Sequence, residues 1–186
     1  MSDSEATRAE LIELLRRHSL VLGEVTLSSG AKASYYVDAR RTVMRPDGLR
    51  SAGTLIARRA NEVGASAVGG PVMAAIPLAC AAIAVPEGED LVGFFVRNER
   101  KSHGLQRWVV GGAEPGDRVL VVEDTVTTGR STVSAIERIR DEGFEIAAVL
   151  SLVDRLAGGG ETIAAAAAAP YTSLTTIDEI YPDRPD

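Results

Sequence analysis

Residues 119–132, VLVVEDTVTTGRST, join an apolar strand to a helix through a turn rich in reactive side chains. Val119, Leu120, Val121 and Val122 form the uninterrupted run expected of a strand covered on both faces. Two carboxylates, Glu123 and Asp124, follow where that strand ends. Thr125, Val126, Thr127, Thr128, Gly129, Arg130 and Ser131 then supply hydroxyls and a glycine before a helix opens. A loop of this kind presents several backbone N–H groups, and the helix N-terminus adds partial positive charge; together they hold a phosphate. The acidic pair would repel a phosphate and is placed instead for neutral hydroxyls, a metal or a developing cation. An ordinary strand-to-helix turn with acidic caps accounts for Asp124 or Thr128 singly. It does not account for two carboxylates, three threonines and a glycine in one turn.

The rest of the chain alternates strand and helix signals. Thr7 and Glu10 form a capping-box pattern before a helix with Leu11, Leu14, Leu15 and His18 on one face. VTLSSGAKASYYVDARR is strand-like on both sides of Gly30, which predicts a hairpin. Pro46 and Asp47 open a second helix, with Leu49, Ala52, Ile56, Ala60 and Val63 on one face and Gly64 after it. Residues 66–69 read as a short strand running into GGPVMAAIP, and Pro77 suits the first turn of a helix reaching Val85. Residues 91–96 form another strand, followed by a polar loop over 97–116. A helix from about Ser131 to Glu142 and a strand over 146–153 come next, ending in Asp154-Arg155. Gly158, Gly159 and Gly160 read as flexible, and the alanines at 164–169 as a short helix.

This order predicts one α/β domain, a central parallel sheet flanked by helices with right-handed crossovers. Ligands of such sheets sit beyond the carboxyl ends of the strands. The turn after Gly69, the loop after Val96, residues 123–131 and Asp154-Arg155 all fall at those ends.

Composition narrows the partners. The chain has 186 residues, enough for a single core; aromatics are only 4%, so that core is aliphatic. A net charge of −6 argues against a broad nucleic-acid surface. The lone Cys80 sits in LACAAIAV and reads as a buried thiol, and one cysteine forms no disulfide within a chain. The first residues, MSDSEATRAE, are too polar for a signal peptide, and no apolar run is long enough to span a bilayer. A cytoplasmic protein without membrane or nucleic-acid partners is expected.

Strand, acidic pair and T-x-T-T-G-x-S together resemble the phosphoribosyl-pyrophosphate (PRPP) loop of type I phosphoribosyltransferases. That resemblance implies the type I phosphoribosyltransferase fold. Glu123 and Asp124 would hydrogen-bond the ribose hydroxyls, and Thr125, Val126, Thr127, Thr128, Gly129, Arg130 and Ser131 would wrap the 5′-phosphate. RNERKSHG, residues 97–104, resembles the R-x-x-x-K-x-H-G loop of the orotate phosphoribosyltransferase family. By that likeness Arg97, Lys101 and His103 contact PRPP, with Lys101, His103 and Asp124 at the reacting centre. Part of that loop would serve the neighbouring subunit of a homodimer. The charge run alone reads as a solvated loop, although Gly104, Gly111 and Gly112 would let it hinge.

LSSGAKASYY resembles the family segment whose paired aromatics, here Tyr35 and Tyr36, touch orotate. Tyr35 and Tyr36 alone read as one packing and one cross-strand side chain. Thr127 and Arg155 join the orotate contacts by the same resemblance. Arg155 suits a planar carboxylate, while an ion pair with Asp154 explains it equally well on sequence. GGPVMAAIPLA resembles the pyrophosphate-side loop.

The likeness runs in order from about Leu11 to Arg155. It implies a small hood of about residues 1–45 with the C-terminal segment, a core of about 46–155, and Mg²⁺ held mainly through PRPP rather than by protein ligands. Ser28, Met73-Ala74 and Asn98 stand where many members carry basic residues or a Tyr-Lys pair. Lys32, Arg100 and Arg107 are candidates to restore that charge. Two other readings share the loop: a purine or uracil phosphoribosyltransferase, and a PRPP-sensing regulator. The first lacks the Tyr35-Tyr36 and Arg155 features; the second needs a basic face.

Overall fold

The structure, a computed structural model, describes residues 2–26, 32–99 and 107–185. Helix α1 (Asp3–His18) leads into β1 (Leu20–Thr26) and β2 (Lys32–Val37), then a short α2 (Arg40–Val43) and a long α3 (Pro46–Glu62). Next come β3 (Ala67–Pro71), α4 (Ala75–Ala84), a 3-10 turn (Pro86–Gly88), β4 (Val92–Val96) and β5 (Val109–Gly111). β6 (Arg118–Val126), α5 (Arg130–Asp141), β7 (Glu145–Asp154), α6 (Gly159–Ala167), β8 (Tyr171–Thr176) and α7 (Ile177–Ile180) follow.

β1 and β2 form an antiparallel two-stranded sheet, the pairing expected of the hairpin, while Gly30 itself lies outside the described residues. The main sheet has six strands in the order β5-β4-β3-β6-β7-β8. Every pairing in it is parallel except β4 with β5. The expected parallel sheet is therefore mixed, with one short antiparallel edge strand.

The period-2 alternation of β6 divides the core. Leu120 and Val122 face Ile56 of α3 and Leu78 of α4, in a cluster completed by Leu11, Leu15, Leu150 and Leu152. Val119 and Val121 face the opposite cluster, with Ile136 and Ile139 of α5 and Ile163 of α6. Both faces of β6 are buried, which is why its apolar run is continuous. Each fully buried aliphatic side chain contributes about 1.5–3 kcal/mol.

Several local expectations are corrected. The N-terminal capping box is made by Ser2 and Glu5, not Thr7 and Glu10, and Thr7 bonds back to Asp3 within the helix. The same S/T-x-x-E pattern one turn earlier, with Asp3 in the first turn, lets the helix begin sooner. β5 lies within the segment read as loop because three residues are too few to show a period. β8 extends the sheet beyond residue 155 and pairs with β7; its Thr- and Tyr-rich YTSLTT was the available strand signal.

Gly159 and Gly160 are not flexible spacers: they open α6, and Gly158 caps it at φ 80°. Cys80 is exposed rather than buried. α4 is apolar all round, so composition could not show that Ala75, Leu78, Ala79 and Ala82 are the inward face.

α3 and α4 approach closely through Gly53, where an added Cβ would lie 2.5 Å from the Ala81 carbonyl oxygen. Alanine normally favours a helix over glycine by about 1 kcal/mol. Gly53→Ala is nevertheless expected to lower the urea midpoint and Tm, because backbone must move to admit the methyl. A raised Tm would show that the two helices part freely.

Candidate active site

β6 ends at the carboxylate pair, and successive side chains leave a strand on opposite faces. Glu123 turns toward α5, where its Oε2 accepts from Ser131 Oγ at 3.1 Å and Thr132 Oγ1 at 3.0 Å. It is 5% exposed. Burial first, and the Asp124 charge second, push the Glu123 carboxyl up to about 7 against the pull of the two hydroxyls. Asp124 is more open. Burial raises its carboxyl as well, while the Thr125 N–H (2.6 Å to Oδ1) and the charge of Arg40 pull it back. Asp38 acts on Asp124 as a like charge and raises it further.

Beyond the pair, Thr125 to Thr132 line a concavity of about 230 Å³. Gly129 caps α5 in the left-handed conformation (φ 76°), so the chain turns sharply into the helix. The first-turn N–H groups of α5 have no intrahelical acceptors and face an anion-sized space. The Ser131 hydroxyl, by contrast, is turned to Glu123. The start of α6 supports the loop from behind. A Cβ on Gly159 would stand 2.5 Å from the Thr127 carbonyl oxygen, and one on Gly129 would stand 2.8 Å from Ile163.

The neighbouring strand end carries Arg155. Its N–H donates to the Val126 carbonyl at 2.9 Å, tying the ends of β7 and β6. Its guanidinium carbon lies 5.6 Å from the Tyr35 ring centroid, and Tyr35 makes a T-shaped contact with Tyr181, centroids 5.5 Å apart. The ion pair of Arg155 with Asp154 is absent among the described contacts. Asp154 accepts instead from the Leu156 N–H and the Tyr171 hydroxyl. Tyr36 leaves β2 on the other face, within the electrostatic reach of Arg40.

Arg97 continues from β4. Its N–H donates to the Trp108 carbonyl at 3.0 Å, and its carbonyl accepts from Arg138 of α5 at 2.6 Å. Arg138 also lies over the Trp108 ring, 4.2 Å from its centroid, and Glu142 accepts from the N–H groups of Trp108 and Val109. Lys101, His103, Arg100 and Ser28 lie outside the described residues. Lys32 is committed to Glu24 at 2.7 Å and Arg107 to Glu114 at 3.3 Å, both on the surface. The cation nearest in effect to Asp124 is Arg40, held by Asp38 at 2.7 Å. The sequence reading missed Arg40. DARR directly after Tyr35-Tyr36 was the available signal, but only the fold of the hairpin brings it to β6.

An anion cradle, a carboxylate pair and a guanidinium over an aromatic ring thus share the rim of β6 and β7. No family model matches the chain. The chain is 43% identical to the orotate phosphoribosyltransferase of Corynebacterium glutamicum over 173 residues, 93% of both chains. The chain belongs to the orotate phosphoribosyltransferase family. The orotate phosphoribosyltransferase of Mycobacterium tuberculosis H37Rv has a similar solved structure in complex with Fe(III) dicitrate. Its TM-score is 0.85 at 41% identity, covering 94% of this chain and 98% of that one. Its PRPP complex superposes with a TM-score of 0.80 at 37% identity and the same coverage. Within this orotate phosphoribosyltransferase fold, the carboxylate pair and the loop at 125–131 occupy the end of a central strand, and Tyr35, from the separate two-stranded sheet, lies under the Arg155 guanidinium at the neighbouring strand end.

The raised Glu123 pKa makes the free protein's stability depend on pH. Between about pH 4.5 and 7 the folded state holds a proton that the unfolded chain has released. Stability is therefore fullest below that window and declines as pH rises through it, by on the order of 3 kcal/mol. Glu123→Gln should flatten this slope and raise the apo-protein's urea midpoint at pH 8. An unchanged slope, followed by tryptophan fluorescence, would show that Glu123 ionises normally.

Proposed function

We propose that the chain transfers the ribose 5-phosphate group of PRPP to orotate, giving orotidine 5′-monophosphate and pyrophosphate in pyrimidine synthesis. The observation that carries this reading is the Arg155 guanidinium over Tyr35, one strand end away from the carboxylate pair and cradle of β6. A planar carboxylate such as that of orotate suits an arginine free of any carboxylate partner among the described residues.

The reaction forms a bond from an orotate ring nitrogen to ribose C1 while the bond to pyrophosphate breaks. Its transition state gathers positive charge on the sugar, as in glycoside chemistry. Rate enhancement then rests on positioning and electrostatics. Glu123 and Asp124 hold the ribose hydroxyls and face that charge. Thr125, Val126, Thr127, Thr128, Gly129, Arg130 and Ser131 seat the 5′-phosphate. Tyr35, Tyr36, Thr127 and Arg155 seat the base. Arg97, Lys101 and His103 meet the departing pyrophosphate, and about residues 1–45 with the C-terminal segment form a small hood over the core.

Mg²⁺ prefers phosphate and water oxygens with one or two carboxylates. That preference supports Mg²⁺ carried mainly on PRPP rather than by protein ligands. When bound, it would neutralise the leaving pyrophosphate. The working form is a cytoplasmic homodimer. Among the described residues, no helix is long and apolar enough to cross a membrane.

Purified protein with PRPP and Mg²⁺ should deplete orotate absorbance and leave hypoxanthine, adenine and uracil unused. Faster turnover of any of these three bases would overturn the substrate assignment.

Shared sites make a second expectation. Lys101→Ala and Asp124→Asn homodimers should each be nearly inactive, and hybrids of the two should contain one intact site. Random C₂ pairing then returns roughly a quarter of wild-type activity to the mixed pool. Hybrids verified by mass and still inactive would place Lys101 in its own subunit's site.

A further inference from the structure

Asp154 stands next to Arg155, yet its carboxylate does not pair with the arginine. It is 8% exposed and spends both oxygens on neutral donors. Oδ1 accepts from the Leu156 N–H at 2.7 Å, and Oδ2 from the Tyr171 hydroxyl at 3.0 Å. The Tyr171 oxygen is also 2.7 Å from Ser151 Oγ, which is fully buried; with Tyr171 donating to Asp154, Ser151 donates to Tyr171. This chain joins the end of β7 to the start of β8.

Two further features depend on it. Leu156 has a left-handed backbone (φ 57°), a conformation unfavourable for a non-glycine residue that persists only where surrounding bonds hold it. The Asp154–Leu156 bond is such a hold. Gly160 leaves room for the network: a Cβ there would come within 2.5 Å of the Tyr171 ring and 3.2 Å of Asp154 Oδ2.

Arg155 is therefore bounded on each side. Its own N–H is fixed to Val126, and both neighbours in sequence are fixed through the Asp154 carboxylate. Only its side chain remains to be directed, and that side chain lies over Tyr35. An arginine paired with a neighbouring aspartate would meet an incoming carboxylate with its charge already compensated. Turning Asp154 to neutral donors leaves that charge available.

We infer that Asp154, with Tyr171 behind it, is the positioning residue that presents Arg155 to the carboxylate of the base substrate. The inference rests on the reading of Arg155 as the orotate-binding arginine. Asp154 touches no substrate; it acts through the backbone of residues 154–156.

The test is steady-state kinetics of the full-length protein, varying orotate and PRPP separately. Asp154→Ala should raise the orotate KM by roughly ten- to a hundredfold and leave the PRPP KM unchanged within error. Tyr171→Phe should do the same to a smaller degree, because the bond to Leu156 survives. It also decides the matter if Asp154→Ala does not fold. Gly159→Ala, which presses on Thr127 rather than on this network, should show the opposite split, with the PRPP KM rising. In an Arg155→Ala background, Asp154→Ala should add no further rise in orotate KM.

If Arg155→Ala alone leaves the orotate KM unchanged, the underlying assignment of Arg155 fails. If Arg155→Ala raises it while folded Asp154→Ala and Tyr171→Phe do not, the positioning role fails. Equal rises in both KM values for Asp154→Ala, or a full additional rise on top of Arg155→Ala, would reduce Asp154 to general structural support.

Discussion

The site depends on a carboxylate kept out of water at the end of the central strand. Glu123 is buried by the packing of β6 between β3 and β7, and two hydroxyls from the first turn of α5 supply its only side-chain donors among the described residues. Those hydroxyls fix where α5 begins relative to β6. That in turn fixes the left-handed turn at Gly129 and the cradle of N–H groups between them. Desolvating a carboxylate opposes folding, and the apolar clusters on the two faces of the sheet offset it. The reactive end of the strand is thus held by the same packing that stabilises the domain.

The helices behind the rim join its parts. α5 starts at the cradle, and farther along carries Arg138 and Glu142, which grip Arg97, Trp108 and Val109 at the two ends of the basic loop. α6 begins with glycines packed under Thr127 on one side and against Tyr171 and Asp154 on the other. One helix therefore connects the cradle to the stem of the basic loop, and the next connects it to the arginine-bearing turn. Small residues at these contacts are required by the closeness of backbones, whatever their helix propensity.

Charge is distributed with economy. Several cations of this acidic chain are paired on the surface, as Lys32 is with Glu24 and Arg107 with Glu114. At the rim, Arg155 has an aromatic neighbour instead of a carboxylate, and Arg40 shares its field between Asp38 and Asp124. Arg40 is the cation whose charge acts on Asp124. It does so from an element, α2, that had no clear pattern in the sequence.

Sequence determined the elements whose signals are local. The run from Val119 to Val122, the acidic pair and the glycine-bearing turn specify strand, site and helix start within fourteen residues, because burial period and turn chemistry act between near neighbours. The antiparallel pairing of β1 with β2 and the α3 boundaries were legible for the same reason. Tertiary structure alone decided which face of the all-apolar α4 is covered, and so exposed Cys80. It also decided that YTSLTT completes the sheet, and that Asp154 bonds to Tyr171 rather than to its neighbour Arg155. Each of these depends on a partner far along the chain, brought near only by the stacking of parallel strands, and no period in the sequence records that distance.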